Sequence, residues 1–288
     1  MFRRHRFPAQ ARWFLFAWLL ACGLPAYGQE RADCERQYQP STGQPGKDVV
    51  WVPTSNELVT RMLDMAKVSS SDLVYDLGAG DGKIAIAAAR QFGARAVGVE
   101  YDENMANLGQ CLVRAERLTD RVKIVQGDIF ETDFSDATVV TLYLLPELNL
   151  RLRPTILEMK PGTRVVSHSF LMGDWQPDQS SVSEHGAAYL WIVPAKVGGT
   201  WMFKQRDGKD TFTVRLDQDF QKLGGTAGAR DEQIDQGEIK GTQLSLIFSE
   251  GDVHTRLKGV VSGNRIEAQV TRSNSTATHT YIGMRRPS

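Results

Sequence analysis

The spacing of hydrophobic residues divides the chain into two parts. Before about residue 194, short continuous apolar runs alternate with segments whose apolar residues recur every three or four positions. The runs predict buried strands, and the periodic segments predict helices. From Ala195 onward the helical period disappears, and short runs of alternating polarity are separated by Gly, Asp and Asn turns. We therefore expect an α/β domain with a mainly parallel sheet, followed by a small antiparallel all-β domain, either a sandwich or a barrel.

The α/β part begins with a helix and then alternates strands with helices. Ser55 can cap a helix over residues 56–66, whose apolar side chains share one face. Further helices are predicted after the glycine-rich segment, after residue 100 and over residues 146–159. The predicted strands cover residues 73–77, 96–100, 122–125, 137–145, 163–168 and 188–193. In such a sheet, ligands bind at the carboxyl ends of the strands.

Residues 72–89, DLVYDLGAGDGKIAIAAA, carry a strong functional signal. They predict a buried strand, a turn that contains Gly78, Gly80 and Gly82, and the start of a helix. Glycines let a backbone approach a ligand closely, and the amino end of a helix offers the ligand free N–H groups. This unit therefore predicts a ligand site at the end of the strand.

The residues around the glycines narrow the class of ligand. A dinucleotide site needs its third glycine one position later, and a phosphate-binding P-loop needs a longer gap and a Ser or Thr after its lysine. Asp76, ahead of the glycines, would repel a pyrophosphate and attract an ammonium group. Glu100, at the end of the next predicted strand, suits hydrogen bonds to ribose hydroxyls. S-Adenosylmethionine (SAM) has an ammonium group and a ribose but no phosphate, so it fits this pattern.

Composition and charge argue against two classes of partner. The 288 residues include 34 Lys and Arg and 34 Asp and Glu, so the formal net charge is zero. This balance gives no basis for expecting nucleic acid or an anionic membrane surface as a partner. The three cysteines and five histidines lack metal-ligand spacing, so no metal site is predicted.

The first 28 residues have the layout of a secretory signal peptide. A basic start precedes an apolar core that is too short to span a bilayer, and Ala26-Tyr27-Gly28 supplies small residues before a cut ahead of Gln29. A lipoprotein signal with a lipidated Cys22 and an uncleaved membrane anchor are the open alternatives. We expect an exported protein of the periplasm or cell envelope, with membrane contact only through the signal peptide or a lipidated Cys22.

The remaining chain divides into three predicted regions. Residues 29–48 are polar, contain Pro and Gly, and predict a linker. The α/β domain is predicted over residues 49–194 and the β domain over residues 195–288. Cys34 and Cys111 could pair in an oxidising compartment, but the sequence leaves their pairing open.

Several motifs extend the signal beyond the glycine turn. In chain order they are VPTSNELVTRML, VYDLGAGDGKI, AVGVEYD, GDIFETDFSDATVVTLYLLPELN, LRPTILEMKPGTRVVSHSF and DWQPD. Together, over residues 49–193, they resemble the FAM173-like subgroup of class I SAM-dependent methyltransferases. Eukaryotic members of this subgroup are protein-lysine methyltransferases, close to the Dot1-like enzymes. The resemblance implies a Rossmann-like fold with SAM as cofactor, and it does not extend to the β domain.

The resemblance also implies roles for individual residues. Asp128 and Ile129 match the position that borders the adenine, and Thr54 would close over the cofactor. Tyr143, at the end of the fourth strand, would orient an acceptor amine, and His168 could take the proton of that amine. The predicted cofactor-binding residues are Thr54, Asp76, Gly78, Gly80, Gly82, Glu100, Asp128 and Ile129, and the predicted catalytic residues are Tyr143 and His168.

The leading hypothesis is a SAM-dependent methyltransferase that acts on a lysine amine of a protein or on a small molecule. Glu147 and Asp174 are alternatives to His168 as proton acceptor. Because SAM is made in the cytosol and the chain carries an export signal, an exported, non-catalytic binding protein that keeps the methyltransferase fold is the alternative. The glycine spacing and Asp76 argue against a nucleotide-dependent oxidoreductase.

Overall fold

The computed structural model describes residues 25–287, with side chains from residue 29 onward. It contains an α/β domain followed by a closed antiparallel β-barrel. Most of the predicted signal peptide, including Cys22 with its predicted lipidation, lies outside the described residues. In the described part of the chain, no helix is both long enough and apolar enough to cross a membrane.

The α/β domain is built from the elements that the sequence predicts, with small differences in their ends. Its helices are α1 (Pro25–Gln37), α2 (Asn56–Met65), α3 (Lys83–Phe92), α4 (Glu103–Ala115) and α5 (Pro146–Leu157). Its strands are β1 (Leu73–Leu77), β2 (Arg95–Glu100), β3 (Val122–Gln126), β4 (Val139–Leu142), β5 (Arg164–His168), β6 (Gln179–Ser183) and β7 (Gly186–Ile192). Strand β6 is not predicted by the sequence because it is a mostly polar strand at the edge of the sheet.

These strands form one sheet in the order β3-β2-β1-β4-β5-β7-β6. Strands β1 to β5 are parallel, β7 runs antiparallel to β5, and β6 runs antiparallel to β7. The mainly parallel sheet is therefore confirmed. The strand order reverses between β1 and β4, and in sheets of this class the carboxyl ends of the strands at such a point form the ligand crevice.

Helices pack on both faces of the sheet because its strands are apolar on both sides. Along β1, Val74 belongs to the core beneath α2, α3 and α4, whereas Leu77 belongs to the core beneath α5. Local signals fix the helix starts. The Oγ atom of Ser55 accepts the N–H of Leu58 at 3.2 Å, as the sequence predicts, and Pro146 occupies the start of α5.

The second domain is a closed barrel of eight antiparallel strands. They are β8 (Gly199–Gln205), β9 (Thr211–Asp219), β10 (Lys222–Ala227), β11 (Glu232–Lys240), β12 (Gln243–Glu250), β13 (Val253–Ser262), β14 (Arg265–Arg272) and β15 (Thr278–Arg285). Pairing of β15 with β8 closes the barrel, which decides between the two predicted arrangements. Inward side chains, including Trp201, Phe203 and Phe212, pack into one apolar core inside it.

The predicted linker, residues 29–48, is ordered at its start, which corrects the prediction. Helix α1 extends to Gln37 and so covers the first residues of this segment. Cys34 is buried and forms a disulfide with Cys111 of α4, 77 positions further along the chain. This cross-link explains how a polar segment without apolar periodicity holds a fixed place on the domain.

The barrel contacts the α/β domain through its β9–β10 turn. The ring of Phe220 in this turn stacks on Trp175, with centroids 5.8 Å apart. The neighbouring Gln221 donates its side-chain N–H to the carbonyl of Gln176 at 2.6 Å. Trp175 is fully buried, so the turn and the α/β domain share a small apolar junction.

Candidate cofactor site

A cavity of about 580 Å³ lies at the carboxyl ends of β1, β2 and β4. It is the position that the strand order of the sheet leads us to expect for a ligand. The predicted site residues that line it are Thr54, Asp76, Gly78, Gly80, Glu100, Asp128, Ile129 and Tyr143. Two predicted residues, Gly82 and His168, are not part of its lining.

The glycines of the turn have different tasks. Gly78, Gly80 and Gly82 all have positive φ angles, of 82°, 56° and 79°. A Cβ atom on Gly80 would lie 2.7 Å from Nε1 of Trp51, so this glycine leaves room between the turn and the opposite wall of the cavity. A Cβ atom on Gly82 would instead lie 3.0 Å from the Ile124 side chain. Gly82 therefore allows the start of α3 to pack on β3, away from the cavity.

Glu100 is held at the end of β2 by two backbone N–H groups. Its Oε2 atom accepts the N–H of Gly80 at 2.7 Å, and its Oε1 atom accepts the N–H of Asp102 at 2.9 Å. A carboxylate has about four acceptor positions, so each oxygen keeps capacity for another donor. Glu100 thus joins the glycine turn to the start of α4 and presents a fixed acceptor pair to the cavity.

Asp76 is the buried acid of the site, with 2% of its surface exposed. Burial raises the pKa of its carboxyl to about 7, and the negative charges of Asp81 and Glu100 act in the same direction. A hydrogen bond from Thr141 Oγ1 at 2.7 Å opposes this rise. A cation bound beside Asp76 would favour its ionised form.

Asp128 and Ile129 lie at the edge of the cavity beyond β3. Oδ1 of Asp128 accepts the N–H of Phe130 at 2.9 Å, and Oδ2 forms an ion pair with Lys47. The hydrogen bond from Lys47 holds the pKa of Asp128 below its usual value. The Lys47 ammonium also lies 4.5 Å from the centroid of the Tyr101 ring. Lys47 therefore fixes the carboxylate that the sequence assigns to the adenine end.

Tyr143 lies at the other end of the cavity, together with Leu148 and Phe170. Its ring stacks on the ring of His168, with centroids 3.7 Å apart, and Nδ1 of His168 lies 3.0 Å from Oγ1 of Thr54. Burial lowers the pKa of His168 to about 4, so this imidazole is neutral near pH 7. His168 supports Tyr143 and Thr54 from behind, a position that differs from the direct role in proton transfer expected of it.

The two alternative proton acceptors also lie away from the cavity lining. Glu147 is exposed in the first turn of α5. The side chain of Asp174 is 77% exposed and pairs with Arg153. Neither carboxylate is placed to take a proton from a group beside Tyr143.

The sequence does not identify one wall of the cavity. Residues 44–54, here called the cofactor wall, line it from the side opposite the glycine turn. Trp51 faces Gly80, and the Lys83 ammonium donates a hydrogen bond of 3.0 Å to the carbonyl of Thr54. The side chain of Lys83, one residue after the glycine motif, was the available signal for this contact. Lys47 and Trp51 lie far from their partners in sequence and gave no local signal.

The residues of the cavity fit SAM. Gly80 provides a cradle that a side chain would fill, Glu100 offers paired acceptors suited to a ribose, and Asp76 offers a buried carboxylate suited to an ammonium. These are the groups that the sequence associates with SAM, now found around one cavity.

Comparison with known proteins places the chain in a family. Residues 76–179 match the ANTKMT methyltransferase domain family. The chain is 44% identical over 151 residues to a protein-lysine N-methyltransferase of Saccharolobus islandicus, and the match covers 94% of that relative and 50% of this chain. The chain belongs to this family of SAM-dependent methyltransferases. Its resemblance to the FAM173-like group is thereby confirmed, and SAM is its cofactor.

Two further relatives cover different shares of their own length. The methyltransferase domain is 27% identical over 146 residues to a human lysine N-methyltransferase named after ATP synthase, a match that covers 61% of that protein and 50% of this chain. A Salinibacter ruber crystal structure described as an RNA methyltransferase in complex with S-adenosyl-L-homocysteine is 48% identical, with a TM-score of 0.50. That match covers 96% of the Salinibacter chain and 51% of this one.

Proposed function

We propose that the protein transfers the methyl group of SAM to the ε-amine of a lysine in a protein acceptor. The observation that carries this proposal is the position of Tyr143, which lies on the cavity wall at the end of β4 with a neutral imidazole stacked behind it. The names of the Saccharolobus and human relatives, both lysine N-methyltransferases, support the same acceptor class.

The Tyr143 end of the cavity suits an uncharged amine. SAM supplies a methyl group on a sulfonium, which a neutral amine can attack directly. Leu148 and Phe170 make the surroundings of Tyr143 apolar, and such surroundings favour the neutral form of a lysine. The Tyr143 hydroxyl can accept a hydrogen bond from the amine and so orient it, while the ring faces can attract a lysine that still carries its proton.

His168 contributes through its charge state and its contacts. Because burial lowers its pKa to about 4, it places no positive charge behind Tyr143 to repel an incoming lysine. Its contact with Thr54 at 3.0 Å also fixes the last residues of the cofactor wall. His168 therefore acts as a positioning residue in this proposal.

An RNA acceptor is the competing class, because the Salinibacter relative is described as an RNA methyltransferase. Proteins that bind RNA chains neutralise phosphates with an excess of Lys and Arg. This chain has equal numbers of acidic and basic residues, 34 of each, so a protein acceptor is favoured.

We also propose that the enzyme works in the periplasm or cell envelope. The signal-peptide pattern and the Cys34–Cys111 disulfide support this location, since disulfides persist mainly in oxidising compartments. This placement requires SAM to reach the same compartment. The non-catalytic alternative remains distinguishable, because it predicts SAM binding without methyl transfer.

A labelling experiment tests the acceptor class. Envelope extract from a host strain that lacks the protein is incubated with SAM carrying a tritiated methyl group and with purified enzyme. The proposal predicts label in protein, recovered as methylated lysine after acid hydrolysis. Label that ribonuclease removes would instead identify RNA as the acceptor, and absence of label from an enzyme that binds SAM would support the non-catalytic alternative.

A matched variant links the label to the site. Tyr143→Phe keeps the ring stacked on His168 but removes the hydroxyl. We expect about tenfold slower labelling, the effect of losing one hydrogen bond at the reacting amine, with unchanged SAM affinity. Equal labelling rates for the two proteins would remove Tyr143 from the proposed mechanism.

A further inference from the structure

Helix α1 is attached to the methyltransferase domain through a single buried side chain. Among its described side chains, Gln29 to Gln37, only Cys34 is buried, and it is bonded to Cys111 of α4. Arg31 adds a hydrogen-bonded ion pair of 3.1 Å with Glu116, but partly exposed pairs of this kind contribute little stability. The place of α1 on the domain therefore depends on the disulfide.

Hydrogen bonds connect α1 to the cofactor wall. The backbone N–H of Tyr38 donates to the carbonyl of Cys34 at 3.3 Å, and the hydroxyl of Tyr38 accepts the side-chain N–H of Gln44 at 2.9 Å. Gln44 in turn accepts the backbone N–H of Trp51 on its carbonyl at 2.9 Å, and Gly43 donates to the carbonyl of Trp51 at 2.8 Å. The contacts thus run without a break from Cys34 to the indole that faces Gly80.

The disulfide therefore joins two elements that border the same cavity. Trp51 and Lys47 of the cofactor wall face the glycine turn and Asp128, while α4, which carries Cys111, contributes Met105 to the lining. At its other end the wall is held by Lys83 and His168 through Thr54. Loss of the disulfide would leave the wall fixed securely at one end only.

We propose that the Cys34–Cys111 disulfide positions the cofactor wall, so that the affinity for SAM depends on the redox state of this cysteine pair. In the reduction step, a dithiol donates two electrons and two protons, the S–S bond breaks to give two thiols, and the dithiol becomes a cyclic disulfide. The proposal rests on SAM binding in this cavity. It couples full cofactor affinity to an oxidising compartment.

The test compares oxidised and reduced protein by calorimetric titration with S-adenosyl-L-homocysteine, which shares the ribose and ammonium groups of SAM. Reduction with dithiothreitol is verified by counting free thiols with mass spectrometry. We expect about a tenfold higher Kd after reduction. The double variant Cys34→Ser/Cys111→Ser should bind like reduced wild type and should not respond to dithiothreitol.

A second variant separates positioning from general stability, since loss of a disulfide also lowers the melting temperature. Tyr38→Phe keeps the disulfide but removes the hydroxyl that binds Gln44. In the oxidised state we expect about threefold weaker binding with little change in melting temperature, because one hydrogen bond is lost. Arg31→Ala, which removes only the partly exposed ion pair with Glu116, is the matched control and should bind like wild type.

The outcomes are distinct. Equal affinity of the oxidised protein, the reduced protein and the Tyr38→Phe variant would overturn the proposal and leave the disulfide as a purely structural bond. If the reduced protein is unfolded, the Tyr38→Phe result alone decides. Failure of oxidised wild type to bind would count against the cofactor site itself, not against its redox dependence.

Discussion

The carboxylate of Asp76 accepts a 2.7 Å hydrogen bond from Thr141 Oγ1 at the point where β1 and β4 lie side by side in the sheet. With 2% of its surface exposed, Asp76 has little contact with water, and its charge is costly in the free protein. The acid is nonetheless at the ligand-binding edge of the sheet. We interpret it as the partner of the ammonium group of SAM, whose positive charge offsets the cost.

The pH dependence of binding follows from this position. Burial raises the pKa of Asp76 to about 7, so in the free protein the carboxyl is mostly protonated below that pH. Only the ionised form attracts an ammonium group strongly. Affinity for S-adenosyl-L-homocysteine should therefore rise about tenfold between pH 6 and pH 7, and level off above it while the ammonium stays charged. Calorimetry across this range checks the profile, and a flat profile would contradict the assigned partner.

Asp76→Asn is expected to separate binding from stability. A group whose pKa is raised on folding stabilises the protein below its unfolded pKa and loses that contribution as pH rises through the folded pKa, here about 7. Asparagine carries no charge to bury and can still accept from Thr141. The variant should therefore melt at or above the wild-type temperature at pH 8 without ligand, yet bind at least about tenfold more weakly. Thermal melts and titrations on one preparation give both values.

Glu100 should affect both the ligand and the fold of the turn. Its two oxygens accept the N–H groups of Gly80 and Asp102, and an amide would place a donor against one of them. Glu100→Gln should thus lower the melting temperature slightly and weaken binding about tenfold, and Glu100→Ala should do more of both. Glu103→Gln, an exposed neighbour in the first turn of α4, is the control and should change neither. Wild-type affinity in Glu100→Ala would exclude Glu100 as a cofactor ligand.

The two later glycines of the turn provide a matched pair. Alanine at either position adopts a positive φ angle and costs on the order of 1 kcal/mol or more of stability. In Gly80→Ala the new Cβ atom would displace Trp51 from the cavity, whereas in Gly82→Ala it would press on Ile124 in the core. We expect both variants to melt lower, but only Gly80→Ala to lose a large part of its affinity for S-adenosyl-L-homocysteine. Similar losses in both would show that the turn acts as one unit.

Much of the site could be predicted because its chemistry is local. The spacing of Asp76 and the glycines, and the acid at the end of the next strand, follow from a few neighbouring residues and from the rule that parallel strands end at one edge. The cofactor wall could not be predicted in this way. The partners of Lys47 and Cys34 are Asp128 and Cys111, far along the chain, and no periodicity signals such contacts.

The fold shows the same division. The change of hydrophobic period near residue 195 predicts the all-β domain, but closure into a barrel depends on pairing β15 with β8, which the alternation of polarity does not encode. The role of Gly82 was also beyond the sequence. Its task depends on Ile124 from β3, so only the packed structure distinguishes it from Gly78 and Gly80.

The barrel should be dispensable for cofactor binding. The cavity is lined by residues between Gln44 and Phe170, all of which precede the barrel. A chain that ends at Pro194 should therefore bind S-adenosyl-L-homocysteine with wild-type affinity. It should melt at a lower temperature, because removal of Phe220 exposes the buried ring of Trp175. A folded truncated protein without affinity would show that the barrel completes the site.

The central claim is that the cavity between the glycine turn and the cofactor wall binds SAM. Calorimetric titration of oxidised wild-type protein with SAM at pH 7.5 tests it most directly. The account predicts one site per chain with a Kd on the order of micromolar, an ordinary value for an enzyme ligand, and a large loss of heat in Asp76→Asn. No binding heat at millimolar SAM, or equal affinity in wild type and Asp76→Asn, would contradict it.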